Sequence, residues 1–136
     1  MRRCLTGAEG QAIVEFALVL PVLLVVALAI ILVADLGVAR LALQHGTAEA
    51  ARAGALTNDD EAIRSTLASA VTPLPADRVA SSIVPSAVEP PRNANPRGSL
   101  LTVRASYAIP IPLGFVGLPQ FIVTASASRR IEWSRD

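Results

Sequence analysis

An α+β protein held in a membrane by one N-terminal helix is the fold class this sequence predicts. Three observations predict it: an uncharged apolar run near the N-terminus, an Ala- and Leu-rich helical pattern directly after it, and two segments of strict alternation toward the C-terminus. The expected architecture is a long transmembrane helix continuing into a stalk, a short second helix, and a small antiparallel sheet of two to three strands. Composition agrees. Of 136 residues, 52% are apolar and only 17% charged, with a mean hydropathy of +0.51, more apolarity than so short a soluble domain can bury. The net charge of +1 gives no reason to expect nucleic acid or an acidic substrate as a partner. All twelve basic residues are arginine. The one cysteine, Cys4, leaves no internal disulfide, so the domain must fold by packing alone. With only three residues before it, Cys4 lacks the preceding apolar segment a lipoprotein signal needs.

The first element is the membrane helix. Phe16 to Ala34 is a run of nineteen residues without a charge. A helix rising about 1.5 Å per residue needs roughly twenty residues to cross a hydrocarbon core near 30 Å thick. A cleaved secretory signal has a shorter apolar core, of about 7–15 residues. Pro21 lies within the run, where it removes the backbone bond to the Ala17 carbonyl and is expected to kink or loosen the helix. Arg2 and Arg3 precede the span while Asp35 and Arg40 follow it, which by the positive-inside rule puts the N-terminus in the cytoplasm and residues 36–136 outside.

At the front of this run stands Gly10-Gln11-Ala12-Ile13-Val14-Glu15-Phe16. A carboxylate at the edge of an uncharged span is costly unless it reaches the interface or a partner. Glu15 can simply mark the wet end of the helix, where its charge complements the positive N-terminal end of the helix dipole. The arrangement also resembles a type IV prepilin leader, and more closely the TadE-like family of tight-adherence pilus proteins. The resemblance covers Gly10 to Pro21 and, more loosely, the whole chain. It implies that an aspartic prepilin peptidase cuts on the cytoplasmic face after Gly10. Gln11 then becomes the new N-terminus, Glu15 the glutamate at the fifth mature position, and Phe16 the aromatic beside it. A glycine before the scissile bond lets the backbone extend into a protease site with no side chain in the way. Loss of Arg2, Arg3 and Glu9 leaves ten basic and ten acidic residues, and the net charge falls from +1 to zero. In an assembled bundle, Glu15 is expected to pair with the freed amine of a neighbouring subunit.

Beyond Ala34 the pattern stays helical, and a helix from Ile13 to Leu56 is about 66 Å long. Leu36, Leu43 and Ala50, with Ala39, Gly46 and Ala53 between them, form a heptad-like stripe of small apolar residues. The stripe packs on the chain's own sheet, against partner helices, or on each at different turns. His45, the one histidine, has no second ligand near it and defines no metal site. A second helix is expected from an Asn58 N-cap, with Asp59, Asp60 and Glu61 in its first turn, Ile63, Leu67 and Val71 on its apolar face, and Pro73 at its end. Carboxylates are what a helix start favours, so the acidic trio is read as capping rather than metal binding.

Strands follow. Val79–Val84 is a short one, 89–99 a Pro/Asn/Gly loop, and Leu101–Tyr107 and Phe121–Trp133 alternate apolar and polar residues. The apolar Pro/Gly segment 109–119 between the last two is tucked under the sheet or offered to a partner. Two strands joined by such a loop and ending in VTASASRRIE also resemble the C-terminal part of TadE-like proteins.

The expected organisation is a leader at 1–10, a transmembrane helix at 11–34, a helical stalk and second helix at 35–72, and a β-rich extracytoplasmic domain at 73–136. No catalytic grouping, phosphate loop or cofactor motif is present in the sequence, and an enzyme is not expected. The resemblance implies a pseudopilin or minor-pilin-like component of tight-adherence pilus assembly and secretion, held in the bacterial inner membrane. Its partners would be membrane lipid, the peptidase, other pilus subunits and the secretion machinery. Two alternatives remain: an uncleaved single-pass protein whose external domain binds a partner, and a domain released by signal peptidase.

Overall fold

The computed structural model describes residues 7–110 and 120–133. The elements run α1 (Gly7–Thr57), α2 (Asp60–Ala70), a 3-10 turn at Ala76–Arg78, then β1 (Val79–Val84), β2 (Leu100–Ile109) and β3 (Phe121–Arg130). This is the α+β architecture expected, with the sheet at three strands. Contacts divide the chain into two units, one up to Asp35 and one from Leu36 onward.

In the first unit α1 is a bare apolar helix. It holds an 18-residue window of mean hydropathy 3.3, none of it buried, and length and composition suit it to crossing a membrane. The helix continues through Pro21 without interruption.

The second unit has its own core. Ala39, Ala42, Leu43, Gly46, Thr47, Ala50, Ala51, Gly54 and Ala55 form the buried stripe of α1, recurring at the three- and four-residue spacing of one helical face. Ile63, Leu67 and Val71 at α2, and Leu101, Val103 and Ala105 on β2, complete this core. Most of the small-residue stripe is therefore occupied within the chain; Leu36, at its membrane end, is exposed and Ala53 half-buried. The glycines show how close the elements come. A Cβ on Gly46 would stand 2.6 Å from Val71 Cγ1, and one on Gly54 would stand 2.5 Å from Leu101 Cδ2 and 2.6 Å from Ile63 Cδ1. Small residues here let α2 and the sheet approach the backbone of α1.

The sheet is antiparallel in the order β1-β2-β3. Its register sets Ser82, Arg104 and Ser126 in one row and Ala80, Ser106 and Thr124 in the next. The period of two separates the faces. Leu101, Val103, Ala105 and Val123 are buried, whereas Arg104, Thr124, Ser126 and Ser128 are exposed. The last turn of α1 is closed from the C-terminal side, where the N–H groups of Glu132 and Trp133 both donate to the Ala55 carbonyl, at 2.8 and 3.1 Å.

One expectation at the α1–α2 junction is corrected. Asn58 is not the N-cap of α2. It sits at φ +51°, the left-handed residue that ends α1, with its N–H donating to the Gly54 carbonyl at 2.9 Å. The cap is Asp59, whose carboxylate accepts from the Glu61 N–H at 3.0 Å. Asparagine tolerates the left-handed region better than most residues, which fits it to stop one helix just before another begins. At its far end α2 stops at Ala70, short of Pro73.

Candidate functional site

The residues singled out by the leader motif lie on the first unit. Gly10, Gln11, Glu15 and Phe16 are all exposed on α1, and space around Gly10 is open, with nothing within 4 Å of where a Cβ would stand. Gln11 and Glu15 are four residues apart and share one helical face. The Gly10–Gln11 bond lies inside α1, close to its start at Gly7. A protease that needs an extended strand must therefore unwind the first turns. Gly10 eases this, because glycine weakens a helix by about 1 kcal/mol relative to alanine. Pro21 lies further along the same exposed helix. Cys4, Arg2 and Arg3 lie outside the described residues, as does most of the apolar segment 109–119.

In the second unit the structure assembles a polar cluster that the sequence pattern did not reveal. Arg92, from the β1–β2 loop, is completely buried. Its Nη1 donates to Asp60 Oδ1 at 2.7 Å and to the Pro85 carbonyl at 2.8 Å, and its Nε donates to Asn58 Oδ1 at 3.0 Å. The other Asp60 oxygen accepts from the Ala87 N–H at 3.0 Å. Asn58 and Asp60 thus hold the Pro-rich loop against the helix junction. Arg92 Nη2 is buried without a hydrogen-bond partner among the described residues. The only sequence signal was an arginine in a Pro/Asn loop and an acidic trio at the start of α2. Asp59 caps α2 and Asp60 pairs with Arg92, and no group of residues suited to hold a metal is found among the described residues. His45 is exposed on α1.

An unburied apolar helix ahead of a small α+β unit defines the class: a single-pass membrane protein with an appended domain. A family model described as TadE-like protein matches residues 10–52. The N-terminal helix of this chain is thus similar to the TadE-like family, the family its leader motif resembles. The match begins at Gly10, takes in Gln11, Glu15, Phe16 and Pro21, and ends on α1 before the sheet. The likeness of the C-terminal strands to that family lies beyond it. No curated protein and no solved structure matches the chain.

Proposed function

We propose that this chain is a pseudopilin or minor-pilin-like component of tight-adherence pilus assembly, cut between Gly10 and Gln11 by a prepilin peptidase. One observation carries the reading: the TadE-like match begins at Gly10, an exposed glycine directly ahead of a bare apolar helix. In this reading the helix holds the subunit in the inner membrane, with the leader in the cytoplasm and the α+β unit outside. The peptidase engages the unwound Gly10–Gln11 segment. After the cut, Glu15 receives the amine of a neighbouring subunit's Gln11, and that pairing offsets the cost of taking its carboxylate into the apolar bundle. The unit from Leu36 onward, with its own core, meets the other pilus components.

N-terminal sequencing of the protein purified from membranes tests this. A start at Gln11 supports the reading, and an intact Met1 supports an uncleaved single-pass protein instead. A Gly10→Ala variant processed at the normal rate would show that the peptidase reading is wrong.

A further inference from the structure

The two edges of the sheet are built differently. β1 has six residues, with Pro75 shortly before it and Pro85 directly after, and proline near an edge discourages strand addition. β3 has ten residues, contains no proline, and pairs with β2 along its whole length without a bulge. Its polarity can be read from its end. Ile131 donates its N–H to the Ser99 carbonyl at 2.9 Å and accepts from the Gly98 N–H at 2.8 Å, so both its backbone groups face β2. Backbone groups alternate sides along a strand. The N–H and C=O of Ile122, Thr124, Ser126, Ser128 and Arg130 therefore point away from the sheet. Among the described residues none of these outward groups has a backbone partner. Beside the C-terminal end of this edge lies an open cleft of about 520 Å³, lined by Ala48 of α1 and by Ala127, Ser128, Arg129, Arg130 and Glu132.

We propose that this edge pairs, antiparallel, with the same edge of a second copy of the chain, centred on Ser126. The charge pattern of β3 argues for a second copy. Its basic residues, Arg129 and Arg130, stand together at one end, and the rest of the strand is neutral. Antiparallel self-pairing sends the two basic ends in opposite directions. With the two-fold axis at Ser126, Ser126 faces Ser126, Thr124 faces Ser128, and Ile122 faces Arg130. Hydroxyl residues meet hydroxyl residues, a favourable cross-strand combination, and no like charges oppose one another. The two Arg130 residues end about 27 Å apart along the strands, well beyond the screening length of about 8 Å at physiological salt. This register uses all five outward residues, each exchanging two backbone bonds, and makes one six-stranded sheet from two subunits. It stands whether or not the leader is cut.

The test is disulfide trapping of the full-length chain in membranes, with Cys4→Ser removing the native thiol. Facing residues of such a pair lie about 5.5 Å apart at Cα, within disulfide reach. Ser126→Cys is expected to form a disulfide-linked dimer at least about tenfold faster than Ser82→Cys, at an exposed serine on β1, because pairing holds the two thiols at high effective concentration. A chain with Thr124→Cys mixed with one carrying Ser128→Cys is expected to give the mixed dimer, and adding Ser126→Pro to both is expected to abolish it. That proline removes only an outward N–H, so the bonds to β2 remain. If Ser126→Cys traps no faster than Ser82→Cys, or if Ser126→Pro leaves the mixed dimer unchanged, the proposal is overturned.

Discussion

Arg92 and Asp60, 32 residues apart in sequence, meet at 2.7 Å with the arginine fully buried and the carboxylate 18% exposed. Breaking a buried pair from one side leaves an uncompensated charge, which costs about 3–5 kcal/mol. Asp60→Asn is therefore expected to lower the thermal midpoint of the detergent-solubilised chain sharply. Arg92→Met leaves unpaired the partner that is 18% exposed and still accepts from the Ala87 N–H, and keeps much of the side-chain volume, so it is expected to cost less than Asp60→Asn. Thermal unfolding followed by circular dichroism ranks the two, and the reverse order would mean that the pair does not hold the loop.

Asn58 contributes through its backbone and its side chain together. An alanine there must hold φ +51°, at a cost of about 1–2 kcal/mol for a residue with a Cβ. It also leaves Arg92 Nε without its acceptor. Asn58→Gly restores the backbone freedom but not the bond, so it is expected to fall between the wild type and Asn58→Ala. Equal midpoints for the glycine and alanine variants would remove the backbone part of this account.

How far these features were legible in the sequence follows from the range of the interactions behind them. β1 was expected at Val79–Val84 and is found there, and the alternation around Leu101–Tyr107 placed β2, because period two is a local signal. The span of α1 was readable from an equally local signal, a continuous uncharged run. The Arg92 cluster was not. It joins a loop to a helix junction across 32 residues, and no periodicity reports such a contact. Asn58 was misread because asparagine suits both an N-cap and a left-handed helix stop. Only the backbone shows which role is taken, and the aspartate beside it took the other. The small-residue stripe was visible, but what lies against it was not, since small residues suit a close approach by any neighbour.

The hydroxyl of Thr47, buried on α1, bonds back to the Leu43 carbonyl at 2.9 Å. That carbonyl also serves the helix ladder, so losing the hydroxyl leaves no orphaned group. Thr47→Val is expected to shift stability by less than about 0.5 kcal/mol, whereas Thr47→Ser, which deletes a buried methyl, is expected to cost about 1 kcal/mol. Denaturant midpoints compared at constant m-value distinguish the two.

The glycines of α1 give the sharpest test of its packing, because one substitution has opposite effects at different turns. Around Gly37 nothing lies within 4 Å of an added Cβ, so Gly37→Ala gains helix propensity of about 1 kcal/mol at no steric cost. At Gly54 the same methyl meets Leu101 Cδ2 at 2.5 Å and Ile63 Cγ1 at 2.7 Å, two fully buried neighbours from the sheet and from α2. Neither can swing into solvent, and overpacking of this kind costs about 1–3 kcal/mol. Gly54→Ala is therefore expected to destabilise the second unit even though alanine is the better helix former. Gly46→Ala should lie between the two, since its closest contact, Val71 Cγ1 at 2.6 Å, is one branch of a side chain just past the end of α2. Thermal midpoints of the three variants should rank Gly37→Ala above wild type, then Gly46→Ala, then Gly54→Ala. A stabilising Gly54→Ala would mean that α1 does not approach the sheet as closely as its small residues allow.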